Sequence, residues 1–102
     1  TEDIRIQQAP SLPFGGVYVG WAGYLDVTEQ LFGKMRKVHL ELIETWDGPQ
    51  SSLIAHFMLN AVSKRTREAI CMPLLEKWEF KDDKVAAITP FYYDTHLLSR
   101  QL

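Results

Sequence analysis

Three side chains in this sequence could do proton chemistry from a folded scaffold: Glu76, His56 and Asp94. A carboxyl removed from water holds its proton more tightly, and an imidazole beside it can share that proton, which is the raw material of general acid–base catalysis. Glu76 lies in "LLEKWEF", His56 interrupts the apolar run "SSLIAHFMLNAV", and Asp94 ends "TPFYYD". Each also has a plain structural reading. Glu76 is adjacent to Lys77 and near Glu79, a setting that suits an exposed or ion-paired acid. His56 alone reads as a hydrogen-bonded sheet histidine. Asp94 precedes "THLL" and reads as a helix N-cap, worth about 1 kcal/mol. The one cysteine, Cys71, excludes an internal disulfide and reads as a small core residue rather than a nucleophile. His39, His56 and His96 are far apart and form no HExxH-type pattern, so no metal and no cofactor are expected.

The elements that must position these residues follow from periodicity. Residues 3–8 alternate weakly, "APSLPFGG" reads as a loop, and "VYVG" resumes as a short strand. Residues 21–35 then place Trp21 or Ala22, Leu25, Thr28, Leu31 or Phe32, and Met35 along one stripe, a helix of about four turns. From Arg36 the period changes to two. Strands are predicted over 37–46, 51–62, 67–80 and 85–93, separated by "DGPQ", "SKRT" and the tight turn "KDDK". Asp94 opens a short terminal helix. Long strands in meander with segregated helices make the class α+β, in one domain spanning 1–102.

A symmetric turn at Lys64 to Thr66 would put Ile54, His56, Met58 and Asn60 on one face with Ile70, Met72, Leu74, Glu76 and Trp78. The opposite face would carry Leu53, Ala55, Phe57, Leu59, Ala61, Ala69, Cys71 and Leu75. Neither face is polar, so two coverings are expected: a helix on one side and a second copy of the chain on the other. Pro73 adds the expectation of a bulge, which would disturb this facing.

Composition bounds the partners. With 46% hydrophobic and 24% charged residues and a net charge of −2, the chain has an ordinary globular composition. The basic cluster Lys64, Arg65 and Arg67 falls in a turn and reads as a solvated tip, so no nucleic-acid partner is expected. No apolar run approaches the ~20 residues of a membrane span, and no signal pattern opens the chain, so a cytoplasmic location is expected, although a start at Thr1 is compatible with a cleaved leader.

"LPFGGVYVGWAGYLDVTEQL" and "EKWEFKDDKVAAITPFYYD" together resemble the SnoaL-like polyketide cyclase and ketosteroid isomerase superfamily, whose fold is the nuclear transport factor 2-like cone. The resemblance implies a strongly curved antiparallel sheet wrapped round a helix, a cone-shaped α+β barrel with an apolar pocket, usually dimeric through the sheet. The family's N-terminal helices have no counterpart in the chain. Glu76 falls near the family's protonated acid, whereas the position of the base falls around Gln8 and Ala9, which cannot take a proton. Steroid-type isomerisation by that mechanism is therefore not expected.

The expectation is a domain binding a small hydrophobic molecule, with an acid–base enzyme (isomerase, cyclase or dehydratase) as the alternative. The candidate catalytic residues are Glu76, His56 and Asp94, and the candidate pocket-lining residues are Trp78, Met58, Asn60, Leu74, Tyr92 and Trp21. Tyr92 and Tyr93 must face opposite sides, only one of them into the pocket.

Overall fold

A computed structural model describes residues 3–102 and contains, in chain order, β1 (Arg5–Gln8), β2 (Gly16–Val19), α1 (Gly20–Phe32), β3 (Met35–Gly48), β4 (Ser52–Ser63), β5 (Ala69–Lys81), β6 (Lys84–Tyr92) and α2 (Thr95–Gln101). This is the predicted hairpin, helix, meander and terminal helical turn. The six strands form one sheet in the order β2-β1-β6-β5-β4-β3. One pairing departs from the antiparallel expectation: β1 lies parallel to β6, with Arg5 opposite Ala87 and Ile6 opposite Ile88, so the sheet is mixed. The helix and meander between those strands supply the long crossover that a parallel pair needs.

Glycine sets the passage from β2 into α1. Gly20 has φ +72°, and its N–H donates to the Ile4 carbonyl at 2.7 Å. A Cβ at Gly23 would lie 2.8 Å from the Tyr18 carbonyl carbon, so the glycine that weakens the helix intrinsically is what lets it cross β2 closely. The buried helical residues are Val27 and Leu31, while Trp21 and Leu25 are exposed. The inward stripe is thus rotated from the predicted one. The apolar arc of α1 is wide, and contact with the sheet decides which part of it is covered.

The strand registers are regular except at three places: β3 between Arg36 and His39, β3 between Leu42 and Glu44, and β5–β6 beyond Glu79. Bulges of this kind add curvature and twist. Pro73 makes none: β4 and β5 pair without interruption through Met58 opposite Pro73, and the Pro73 carbonyl accepts from the Tyr93 N–H at 3.1 Å. That carbonyl points toward β6, so the missing N–H falls where β6 leaves the sheet and no bond to β4 is lost.

The turn between β4 and β5 corrects the predicted facing. The last pair is Val62 with Ala69, the connection runs over 63–68, and Arg67 has φ +65°. Six residues thus lie between Val62 and its partner, one more than a turn symmetric about Arg65 would leave. Ala55 therefore stands opposite Glu76, and His56 opposite Leu75. A one-residue slip moves a whole strand's side chains to the other face. The inner face, toward α1, carries Ala55, Leu59 and Ala61 with Ile70, Met72 and Leu74, all buried. His56, Met58 and Asn60 lie on the outer face with Cys71, Pro73 and Leu75. Cys71 is exposed there, not in the core.

The basic loop is also more than a solvated tip. Ser63 Oγ donates to the Gln101 carbonyl at 2.5 Å, Gln101 Nε2 donates to Glu68 Oε2 at 2.6 Å, and Thr66 hydrogen-bonds the Gln101 side chain. These bonds tie α2 to the loop and satisfy two otherwise buried polar residues, while Leu98 of α2 enters the core. Among the described residues, no helix is long and apolar enough to cross a membrane.

Candidate functional site

Period-two alternation along β5 aims Leu74, Glu76 and Trp78 inward, and pairing with β6 sets Tyr92, Pro90 and Ile88 beside them. Ile6 and Gln8 of β1 continue the same face. Against it, α1 presents Tyr24, Val27, Thr28 and Leu31, which recur at helical spacing. Between helix and sheet lies a cavity of about 310 Å³ whose wall is mostly apolar.

Glu76 is the one carboxyl in that wall. Trp78 Nε1–H donates to Glu76 Oε1 at 2.9 Å. Burial pushes the Glu76 carboxyl above its ordinary value of 4.5, and the indole bond, which favours the charged form, partly opposes the rise. Tyr92 lies beside Glu76 and packs edge-on against Phe14, with ring centroids 5.9 Å apart. Its hydroxyl pKa is raised, chiefly by burial; the Gln8 amide opposes that rise and the Glu76 charge adds to it. Tyr92 is therefore a neutral hydrogen-bonding group at any ordinary pH. Gln8 is only 3% exposed, and its Oε1 is buried with no hydrogen-bond partner.

Of the residues expected to line the pocket, Leu74, Trp78 and Tyr92 do so. Met58 and Asn60 do not, because the register puts them on the outer face. Trp21 is 68% exposed at the start of α1, where it stacks on Tyr24 at 5.3 Å. Tyr92 is the inward tyrosine, and Tyr93 points out, 80% exposed.

The three acid–base candidates are not brought together. His56 is on the opposite face from Glu76, where its ring stacks on Trp46 with centroids 6.3 Å apart. Asp94 caps α2: its Oδ1 accepts the Leu97 N–H at 2.9 Å. Gln8 and Tyr24 complete the cavity without having been singled out as pocket residues, while Thr28 comes from the stripe that periodicity placed along α1. For Gln8 a signal existed, since Ile6 and Gln8 share a face by alternation. Among the described residues, no three His, Cys, Asp or Glu side chains gather so as to hold a metal ion.

The outer face has its own apolar groove, formed by Trp46, His56, Pro73, Leu75, Phe91 and Tyr93. Phe91 is 57% exposed, and His56 Nε2 is buried there without a hydrogen-bond partner.

No family model and no curated protein matches the sequence. Solved structures do match in fold. An NTF2-like protein from Burkholderia thailandensis aligns with a TM-score of 0.86 at 16% identity, covering 99% of this chain and 77% of its own. A putative SnoaL-like polyketide cyclase from Jannaschia sp. aligns at 0.82 with 9% identity, covering 99% and 72%. A hypothetical protein with a ketosteroid isomerase-like fold from Catenulispora acidiphila, in complex with trimethylamine, aligns at 0.79 with 9% identity, covering 97% and 74%. The fold of this chain is the NTF2-like cone that the sequence resembled.

Proposed function

We propose that this chain is a SnoaL-like domain that binds a small, predominantly apolar molecule between α1 and the sheet. The observation that carries the reading is the cavity of about 310 Å³, in which mostly apolar walls surround one half-buried carboxyl and a few further polar side chains, among them Gln8, Thr28 and Tyr92. Ligand sites typically combine an apolar lining with a few placed polar groups. A protein of the same fold in complex with a small molecule adds support. The test is amide NMR with naphthalene-sized ligands: shifts should concentrate at Leu31, Leu74 and Ile88, and Thr28→Phe, which fills the cavity, should abolish them without unfolding the domain. Shifts that survive Thr28→Phe would place binding elsewhere.

An acid–base enzyme, an isomerase, cyclase or dehydratase, is the second reading, and the raised pKa of Glu76 at the cavity wall favours it. It rests on Glu76 alone, since neither His56 nor Asp94 lines that cavity. With Gln8 where a base would stand, binding without turnover is the better-supported function.

The outer face supports assembly as a homodimer through the sheet. Trp46, Leu75, Phe91 and Tyr93 are all exposed beside the unpartnered His56 Nε2. A two-fold pairing would bury the same apolar patch on both copies.

A further inference from the structure

The polar groups of the cavity constrain the chemistry of its occupant. No Lys, Arg or His lines it, and its one ionisable acid is Glu76. Nothing in the wall can therefore neutralise an anion, and a carboxylate entering beside Glu76 would meet like charge in a poorly hydrated space. Glu76 Oε1 already accepts from Trp78. Gln8 Oε1, by contrast, is buried in a side chain only 3% exposed and accepts from nothing. A buried acceptor without a donor is costly, and an occupant that brings a donor removes that cost. Thr28 and Tyr92 add hydroxyls that can turn to either role. The rest of the wall, with Ile6, Val27, Leu31, Leu74 and Ile88, is apolar and suits a hydrocarbon ring.

Resting on the reading of this cavity as a small-molecule site, we infer that its occupant is an uncharged ring compound bearing a hydroxyl, which donates to Gln8 Oε1. A carboxylate on the same ring is rejected. The preference for the hydroxyl then lies in Gln8, which cannot itself titrate, and the rejection of the carboxylate lies in Glu76. The cavity accepts the hydroxyl as a proton donor in a hydrogen bond and takes no proton from it.

Calorimetric titration of the whole chain with three matched probes, 2-naphthol, naphthalene and 2-naphthoate, tests this. Wild type should bind 2-naphthol at least about tenfold more tightly than naphthalene, and 2-naphthoate most weakly. Gln8→Met, unbranched and of similar length, should bring 2-naphthol to within about twofold of naphthalene in the same variant. Glu76→Gln should raise 2-naphthoate affinity at neutral pH. Equal binding of 2-naphthol and naphthalene by wild type, tightest binding of 2-naphthoate, or a hydroxyl preference that survives Gln8→Met in a cooperatively folded variant would each overturn the inference while the cavity remains a binding site. Failure of all three probes to bind wild type would instead overturn the binding reading itself, and the inference with it.

Discussion

Trp78 and Glu76, two residues apart on the inner face of β5, are joined by a 2.9 Å hydrogen bond from the indole Nε1 to the carboxyl Oε1. Strand alternation puts both on the cavity side, and the bond holds the acid against the wall. The pair is the strongest sign of a built site in this chain, because an apolar core could have used two hydrocarbon side chains there without stranding a charge.

Glu76→Gln is expected to change how stability depends on pH. Burial raises the Glu76 carboxyl above 4.5, so the folded state keeps a proton that the unfolded chain releases. Below 4.5 both states are protonated and the residue adds no pH dependence. As pH climbs from there through the raised folded value, wild type loses stability that the variant keeps. Denaturant titrations across that window should show the variant more stable at neutral pH and level with wild type in acid. Parallel profiles would rule out a buried, proton-holding Glu76.

Removing the donor while keeping the ring should shift the same group further. In Trp78→Phe the indole N–H no longer favours the charged form, so the Glu76 carboxyl titrates at a higher pH than in wild type. Carbon-13 NMR of the side-chain carboxyl measures this directly. An unchanged or lowered midpoint would mean that the bond does not form in solution.

How far the sequence revealed this site turned on a single turn. The α+β order, the tight "KDDK" turn and the inward facing of Leu74 and Trp78 were legible, because alternation and turn chemistry are local signals. Which residues of β4 share a face with Glu76 was not, since it depends on whether the connection at 63–68 is odd or even, and Arg67 at φ +65° widens it by one residue. His56, Met58 and Asn60 consequently passed to the outer face, and the apparent His56–Glu76 pairing dissolved. The parallel seat of β1 against β6 was hidden for a similar reason: a four-residue strand carries too little pattern to name its neighbour. Gln8 was visible by alternation with Ile6, but glutamine in a four-residue strand gives no sign of burial.

The β5–β6 turn offers a stability test. Asp82 and Asp83 both have positive φ, 52° and 61°, the geometry of a type I′ hairpin turn. Left-handed backbone costs a non-glycine residue about 1–2 kcal/mol, somewhat less for aspartate. Asp83→Gly should therefore raise the unfolding free energy by up to about 1 kcal/mol, read from the urea midpoint at unchanged slope. A lowered midpoint would contradict the turn assignment.

Asp94 separates a cap from a catalyst. Its Oδ1 satisfies the Leu97 N–H, so Asp94→Ala should cost about 1 kcal/mol of stability. Asp94→Ser, another good cap, should restore most of it. Affinity for a cavity ligand should be unchanged in both. Lost affinity at intact stability would give Asp94 a role in the site that its position on α2 does not suggest.

The outer face predicts an assembly that one charge should break. Phe91, 57% exposed, stands in the groove with Trp46, Leu75 and Tyr93. A second copy pairing there through a two-fold axis would bury each of these residues twice and could supply a partner for the orphaned His56 Nε2. Wild type should sediment at micromolar concentration with twice the 11.8 kDa mass of one chain. Phe91→Lys places an ammonium at the centre of the patch on both copies, and central aromatic anchors of this kind carry about 2–4 kcal/mol, enough to weaken the dimer about thirtyfold or more. The variant should therefore sediment as a monomer with its inner-face cavity and ligand affinity intact. A wild-type chain that sediments at 11.8 kDa would leave the patch without a second copy as its partner.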